Sequence, residues 1–388
     1  MHAQSISIVH EEPFAAGRDA AAELLDQLGT APDVVMAFVS SVHDPARVLE
    51  GLWSRLPPSA RLLGCSSFAE IGADDALAGS VTLMGLELGE VEWELFRLDP
   101  GERSEAEAGQ ALGEQIRGFD PKLVIVLPDG LRLNSTKFVG ALHRALGREC
   151  AIVGGLASEG FVFERTTELF DREVIEGGAV ALALRGPIAV ATAARAGFQP
   201  VGTTRTCTAI DGDRVILELD GQSALELYRS YLGSSVAERP NIGIEFPLAM
   251  IERAGGDYME SDERSQVIRA VRELDETRGA LVCSGDVYEG ARLRMTRASK
   301  DDLIEAAAAA TTQALQELPQ AQIALLFNCA GRKAVLGSRH HEEVAAAFRI
   351  LGPEVAKAGF YTYGEIAPVA DTNMYHDETF TLALIGPG

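Results

Sequence analysis

Gly359-Phe360-Tyr361-Thr362-Tyr363-Gly364-Glu365-Ile366-Ala367-Pro368 is followed by an acidic loop, Tyr375-His376-Asp377-Glu378-Thr379, and by an apolar run from Phe380 to Ile385. Two earlier stretches share its pattern. Gly64-Cys65-Ser66-Ser67-Phe68-Ala69-Glu70-Ile71-Gly72 leads to Val81-Thr82-Leu83-Met84, and Gly154-Gly155-Leu156-Ala157-Ser158-Glu159-Gly160 leads to Ala179 through Leu184. Each has a glycine, a short strand and a carboxylate. Upstream of each lies another apolar strand candidate, Val34–Val39, Leu123–Leu127 or Ile323–Phe327, and then a helical segment. A unit recurring at this interval is the signature of a chain built from copies of one module. The fold class is therefore α/β: repeated strand-helix-strand-strand modules forming a two-domain layered sheet structure.

The module boundaries carry local punctuation. Asp44-Pro45 supplies an N-cap with proline at the first helical position, and Pro57-Pro58 stops that helix. Thr136 to Leu146 and Ser223 to Leu232 read as helices, and Ser299 caps a long alanine-rich helix ending near Pro319. Gly178 to Ala194, cut by Arg185-Gly186-Pro187, reads as a hairpin of two strands. The Leu219-Asp220-Gly221 turn marks the division into 1–220 and 221–388.

The chain has 388 residues and a formal charge of −23. With no basic stretch to offset the repulsion, that charge disfavours a nucleic-acid partner. Five cysteines, Cys65, Cys150, Cys207, Cys283 and Cys329, lie far apart without a Cys-x-x-Cys pair, which argues for reduced thiols rather than a disulfide framework. The first ten residues lack the pattern of a signal peptide, and no stretch reads as a membrane span, so a cytoplasmic location is expected.

Gly64-Cys65-Ser66, Gly197-Phe198-Gln199-Pro200-Val201-Gly202, Leu219-Asp220-Gly221, Cys329-Ala330-Gly331-Arg332 and the C-terminal motif with its His376 and Thr379 loop together resemble the FIST family. This family pairs an N-terminal with a C-terminal FIST domain in bacterial signal transduction. The resemblance covers nearly the whole chain and implies a non-enzymatic sensory protein that binds a small, amino-acid-like ligand. It also implies a stand-alone form signalling to a separate partner such as a histidine kinase. One branch of the family binds haem and senses nitric oxide, which makes haem a candidate ligand. Ala69 stands where the family has a glycine, leaving open whether Glu70 and Glu159 act as Glu365 does.

The candidate ligand-binding residues are Gly64, Cys65, Ser66, Asn328, Arg332, Tyr361, Tyr363, Glu365 and His376. Arg332 follows a buried strand, where a guanidinium suits a carboxylate or propionate; its other reading is a structural pair with Glu365. Tyr361 and Tyr363 alternate along a strand and, with Glu365, would suit an ammonium group. His376, between Tyr375 and Asp377, is the iron ligand if haem is bound. Cys65 as a nucleophile gives the rival reading, an enzyme. A scaffold without a small ligand is the third.

Overall fold

The computed structural model describes residues 1–99, 101–133, 136–233, 241–252 and 267–388, with only the backbone of 251 and 252. Elements recur three times in one order: strand, helix, strand, helix, strand, hairpin, strand. The first copy runs β1 (His2–Val9), α1 (Pro13–Leu28), β2 (Val34–Ser40), α2 (Pro45–Trp53) and β3 (Arg61–Ser67). The hairpin β4 (Glu70–Ile71) and β5 (Ala76–Leu77) leads to the return strand β6 (Ser80–Glu87). The second runs β7 (Glu92–Leu98), α3 (Glu105–Arg117), β8 (Leu123–Pro128), α4 (Thr136–Leu146) and β9 (Ala151–Gly155). Its hairpin is β10 (Glu168–Phe170) and β11 (Glu173–Ile175), and its return strand is β12 (Ala179–Arg185).

The third copy opens with β13 (Ile188–Arg195) and is interrupted by an inserted sheet. The insertion comprises β14 (Gln199–Asp211), β15 (Val215–Leu219), β16 (Gln222–Ser223), α5 (Ala224–Leu232) and α6 (Ile242–Glu245). It continues with β17 (Leu248–Glu252), β18 (Val267–Arg269), β19 (Val271–Asp275), β20 (Ala280–Cys283) and β21 (Arg292–Arg297). The module then resumes with α7 (Lys300–Glu317), β22 (Ile323–Cys329), α8 (Ala330–Leu336), α9 (His340–Leu351) and β23 (Ala356–Thr362). Its hairpin is β24 (Glu365–Val369) and β25 (Thr372–His376), and β26 (Phe380–Pro387) returns.

Within each copy the strands line up identically, as β1-β6-β2-β3, β7-β12-β8-β9 and β13-β26-β22-β23. The hairpins do not stay at home. β4–β5 joins β23 of the third sheet, β10–β11 joins β3 of the first, and β24–β25 joins β9 of the second. Each module thus completes its neighbour's sheet, in a closed cycle, and the two halves of the chain interlock in space. The turn at Gly186 follows the same logic: β12 and β13 lie in different sheets, so Arg185-Gly186-Pro187 is a crossing between sheets and not a hairpin.

Glycine at the motif position is forced by sheet geometry. Gly64, Gly154 and Gly359 stand opposite Ala37, Val126 and Leu326 in the parallel pairs. A Cβ at these glycines would lie 1.9, 1.9 and 1.8 Å from the facing carbonyl oxygen, far inside contact distance. The inner faces of the three sheets share one core, in which Phe38 stacks on Phe360 and Phe327 meets Phe360 edge-on. The outer faces carry helix pairs: α1 and α2, α3 and α4, α7 and α9. The alanine block of α7 serves this packing, with Ala307, Ala310 and Ala314 fully buried against the third sheet.

Asp44 caps α2 through the amides of Ala46 and Arg47, and Ser299 forms a capping box with Asp302 at the start of α7.

Candidate functional site

The motif glutamates come first, because the three copies act as controls for one another. In antiparallel register Glu70 faces Phe360, Glu168 faces Cys65 and Glu365 faces Gly155. Each Oε2 accepts the amide at the head of its own return strand: Ser80 N at 3.0 Å, Gly178 N at 3.2 Å and Thr379 N at 3.0 Å. The carboxylate ties the hairpin to the strand that follows it. Glu70 therefore does sit as Glu365 does, despite Ala69. What the residue before the glutamate shares across the three copies is its carbonyl, with Ala69 O, Thr167 O and Gly364 O accepting from Tyr361, Ser66 and Leu156. The counterpart in the second copy is Glu168 and not Glu159, whose carboxylate instead accepts Val162 N and Phe163 N.

Arg332 is fully buried and its guanidinium is committed inside the protein. Nε and Nη2 donate to Glu343, Nη1 to the carbonyls of Ala196 and Glu378, and Nη2 also to that of Leu303. Its partner is Glu343 rather than Glu365, and no donor is left over to clamp a ligand. Asn328 donates to the same Glu343, and Tyr361 points into the helical layer, its hydroxyl donating to His340 O at 3.2 Å. The two tyrosines of the motif therefore part company. β23 ends at Thr362, and Tyr363 turns outward to hydrogen bond with Glu159 Oε1 at 2.7 Å.

Tyr363 lines a cavity of about 780 Å³ between the third module's strand ends, the Gly130 and Phe161–Phe163 loops of the second module, and the inserted sheet. Phe161 and Phe163 stack on Tyr363 with centroids 5.9 and 5.2 Å away, forming an aromatic wall. Both phenylalanines have positive φ, 64° and 59°, a costly conformation for bulky residues, held by the Glu159 carboxylate. The floor is Cys329, Gly331, Asp377 and Glu378. Asp377 and Glu378 are each 2% exposed, and among the described residues Asp377 Oδ2 and Glu378 Oε2 have no hydrogen-bond partner. Tyr375 donates to Asp377 Oδ1 at 2.9 Å, and Arg269 Nη1 stands 3.7 Å from Oδ2.

Burial raises all the acids here. Glu365 is pushed well up by desolvation and then by Asp377 and Glu378, and Glu378 is pushed up to about 8 by desolvation and Asp377. Glu365 lies behind this floor, fully buried, and does not line the cavity.

Gly64, Cys65 and Ser66 lie away from the cavity. Cys65 is fully buried in the shared core, and burial, then Glu168 and Glu70, raises its thiol well above the ordinary range, the opposite of an activated nucleophile. Ser66 Oγ accepts Thr167 N at 3.0 Å as part of the exchanged-hairpin seam.

His376 also serves the sheet. Its Nε2 bonds Ala367 O at 3.1 Å, and burial lowers the imidazole to about 4. His143 lines a second cavity of about 760 Å³ on the other side of the β24–β25 hairpin. Asn373 Oδ1 is fixed by Ile152 N and its Nδ2 by Cys150 O, so Nδ2 donates to His143 Nδ1 at 3.0 Å and the neutral ring carries its proton on Nε2. Neither imidazole fits an iron ligand, which needs a free nitrogen facing the macrocycle. Among the described residues no group of three or more His, Cys, Asp or Glu side chains is spaced to hold a metal ion.

The FIST N domain model matches residues 33–222 and the FIST C domain model residues 224–368. The chain belongs to the FIST family. FIST domains are sensory domains for small ligands in signal transduction. The uncharacterized protein Rv0628c of Mycobacterium tuberculosis H37Rv is 30% identical over 275 residues, 68% of this chain and 67% of the relative. The uncharacterized protein Mb0898c of Mycobacterium bovis is 27% identical over 386 residues, 95% of each chain. A crystal structure of a cyanuric acid hydrolase from A. caulinodans aligns over 100% of this chain and 99% of that chain, with 10% identity and a TM-score of 0.33. A score that low does not establish a shared fold. Among the described residues no helix is long and apolar enough to cross a membrane.

The cavity was only partly legible in the sequence. Cys329, Gly331 and Tyr363 lie in the sequence motifs, and Asp377 and Glu378 stand directly after His376. Phe161, Phe163 and the inserted sheet gave no periodic signal.

Proposed function

We propose that this FIST protein is a non-enzymatic sensor whose small ligand occupies the cavity floored by Asp377 and Glu378 and walled by Tyr363, Phe161 and Phe163. The observation that supports it is the junction itself: a cleft of ligand size, lined by residues from two modules and the inserted sheet. A molecule lodged there would change how the inserted sheet seats on the modules, and that sheet is where a separate signalling protein, such as a histidine kinase, would read the change. Haem-based sensing of nitric oxide draws no comparable support, since buried His376 bonds Ala367 O and half-buried His143 takes the Asn373 amide.

Leu131→Trp, on the cavity wall, tests the reading. Equilibrium dialysis of the purified protein against a small-molecule extract, read by mass spectrometry, should show at least one compound concentrated by the wild type and not by the variant. Equal profiles for the two proteins would overturn the cavity as the ligand site.

A further inference from the structure

The three modules share one tight turn immediately before the return strand. Its position is fixed by the glutamate contacts already described, to Ser80 N, Gly178 N and Thr379 N. The residue just before those amides is Gly79 in the first module and Gly177 in the second, with φ of 75° and 78°. In the third it is Glu378, with φ of 51°. Glycine enters this left-handed region freely, whereas an L side chain there costs about 1 kcal/mol or more. Two copies keep the comfortable residue, so the fold does not require the other.

What the third copy gains is a carboxylate in one place. Glu378 Oε1 accepts the Cys329 thiol at 3.6 Å, while Oε2 is without a partner among the described residues and the side chain lines the cavity. Room for it has been cleared: a Cβ on Gly331 would meet Glu378 Oε1 at 1.9 Å. A strained backbone, a glycine opposite and an unpaired buried oxygen on a cavity floor are three separate features, and they coincide on one side chain.

We propose that Glu378 is the recognition group of the cavity and that the molecule it receives is a small organic cation bearing an ammonium or guanidinium group. The inference rests on the cavity being the ligand site, and it adds the ligand's class. A cationic N–H donor supplies what Glu378 Oε2 and Asp377 Oδ2 lack, and the aromatic wall tolerates the same positive charge. A metal ion is a poorer match, because the acids are not spaced to coordinate one.

The surroundings set the expected pH response. Glu378 is faced by Glu365 on β24, Cys329 on β22, Arg332 on α8 and Glu343 on α9, with Asp377 beside it on its own loop. Arg269 of β18 and Arg214 of the inserted sheet act on Asp377. Since Glu378 titrates at about 8, a cation must displace its proton at neutral pH. Affinity then climbs about tenfold per unit as pH rises towards 8 and flattens above it.

The test uses the full chain and thermal shift with three pools of metabolite-sized compounds: amines and guanidines, neutral alcohols and amides, and carboxylates. The cationic pool should raise the wild-type melting temperature and leave Leu131→Trp unmoved. Glu378→Gln should weaken the strongest cationic compound at least tenfold and abolish the pH dependence of its calorimetric affinity. Glu378→Gly, which installs the residue of the other two modules, should lose cation binding while melting higher than the wild type without ligand. Stabilisation by the neutral or carboxylate pool alone, lost in Leu131→Trp, would keep the cavity and overturn the cation. A cationic response that survives in Leu131→Trp would overturn the cavity itself, and no response to any pool would overturn both. A Glu378→Gly protein that melts lower would show that the turn needs its glutamate for structure.

Discussion

Glu70 is the best-supplied of the three motif carboxylates, receiving the Ser67 hydroxyl and both the amide and hydroxyl of Ser80. Even so, burial lifts it from 4.5 to about 7. The folded protein therefore holds a proton that the unfolded chain releases, so this group's contribution to stability is complete below pH 4.5 and is lost as pH rises to 7. A span of that size is worth about 3 kcal/mol. Glu70→Gln keeps the shape and removes the titration. Chemical denaturation at pH 5 and pH 8 should show the wild type losing about 2–3 kcal/mol more than the variant between the two. An unchanged difference would mean that Glu70 stays ionised in the fold. His376 works in the opposite sense, since its imidazole is held at about 4 and its contribution is lost as pH falls below 6.5.

At the scale of the element, the parallel strand pairs rest on their glycines. Gly154→Ala must place a methyl group 1.9 Å from Val126 O at a φ of 153°, and neither central strand can yield. It should destabilise the protein by about 3 kcal/mol or more. Gly118→Ala, at a helix end with nothing within 4 Å, is the control and should be neutral. Equal denaturation midpoints for the two variants would refute the steric account.

These elements were also where the sequence spoke most plainly. Val34–Ser40 and Ile323–Cys329 are apolar runs because both faces of their sheets are covered, and capped helices such as Pro45–Trp53 and Lys300–Glu317 announce their starts. Partnership was silent: nothing in Gly178 to Ala194 tells that its two strands enter different sheets, since a strand's period records burial and not its neighbour. In the second copy a longer loop separates the glycine strand from its hairpin, so the sequence pattern falls on Glu159 and the structure puts the role on Glu168. Arg332 looked like a ligand clamp because its position after a strand was visible, and Glu343, a helix away, was not. Only the strand-end part of the cavity could be read, as the rest comes from the second module's Gly130 and Phe161–Phe163 loops and from the insertion.

The three module sheets form a cycle beside the inserted sheet, and the family boundary near Gly221 cuts across the chain that builds them. Asp220 and Gly221, both with positive φ, form an exposed turn between β15 and β16. Residues 1–220 alone would leave β4 without β23, β9 without β24 and β13 without β26. That fragment should show no cooperative thermal transition by circular dichroism. Expressed with 221–388, it should co-purify and melt as a unit. A fragment 1–220 that melts cooperatively by itself would refute the interlocked reading.

The exchanged hairpins also impose a schedule on synthesis. Ile71 pairs with Gly359, so the strand that receives the first hairpin emerges about 290 residues after it. At about 5–20 residues per second, the first hairpin waits some 15–60 s on the ribosome with its partner edge not yet made. The strands translated after β23 complete the other two openings: β24–β25 joins the second sheet and β26 closes the third. Until then the nascent chain presents open strand edges, and those edges are what a trigger-type chaperone would have to shield.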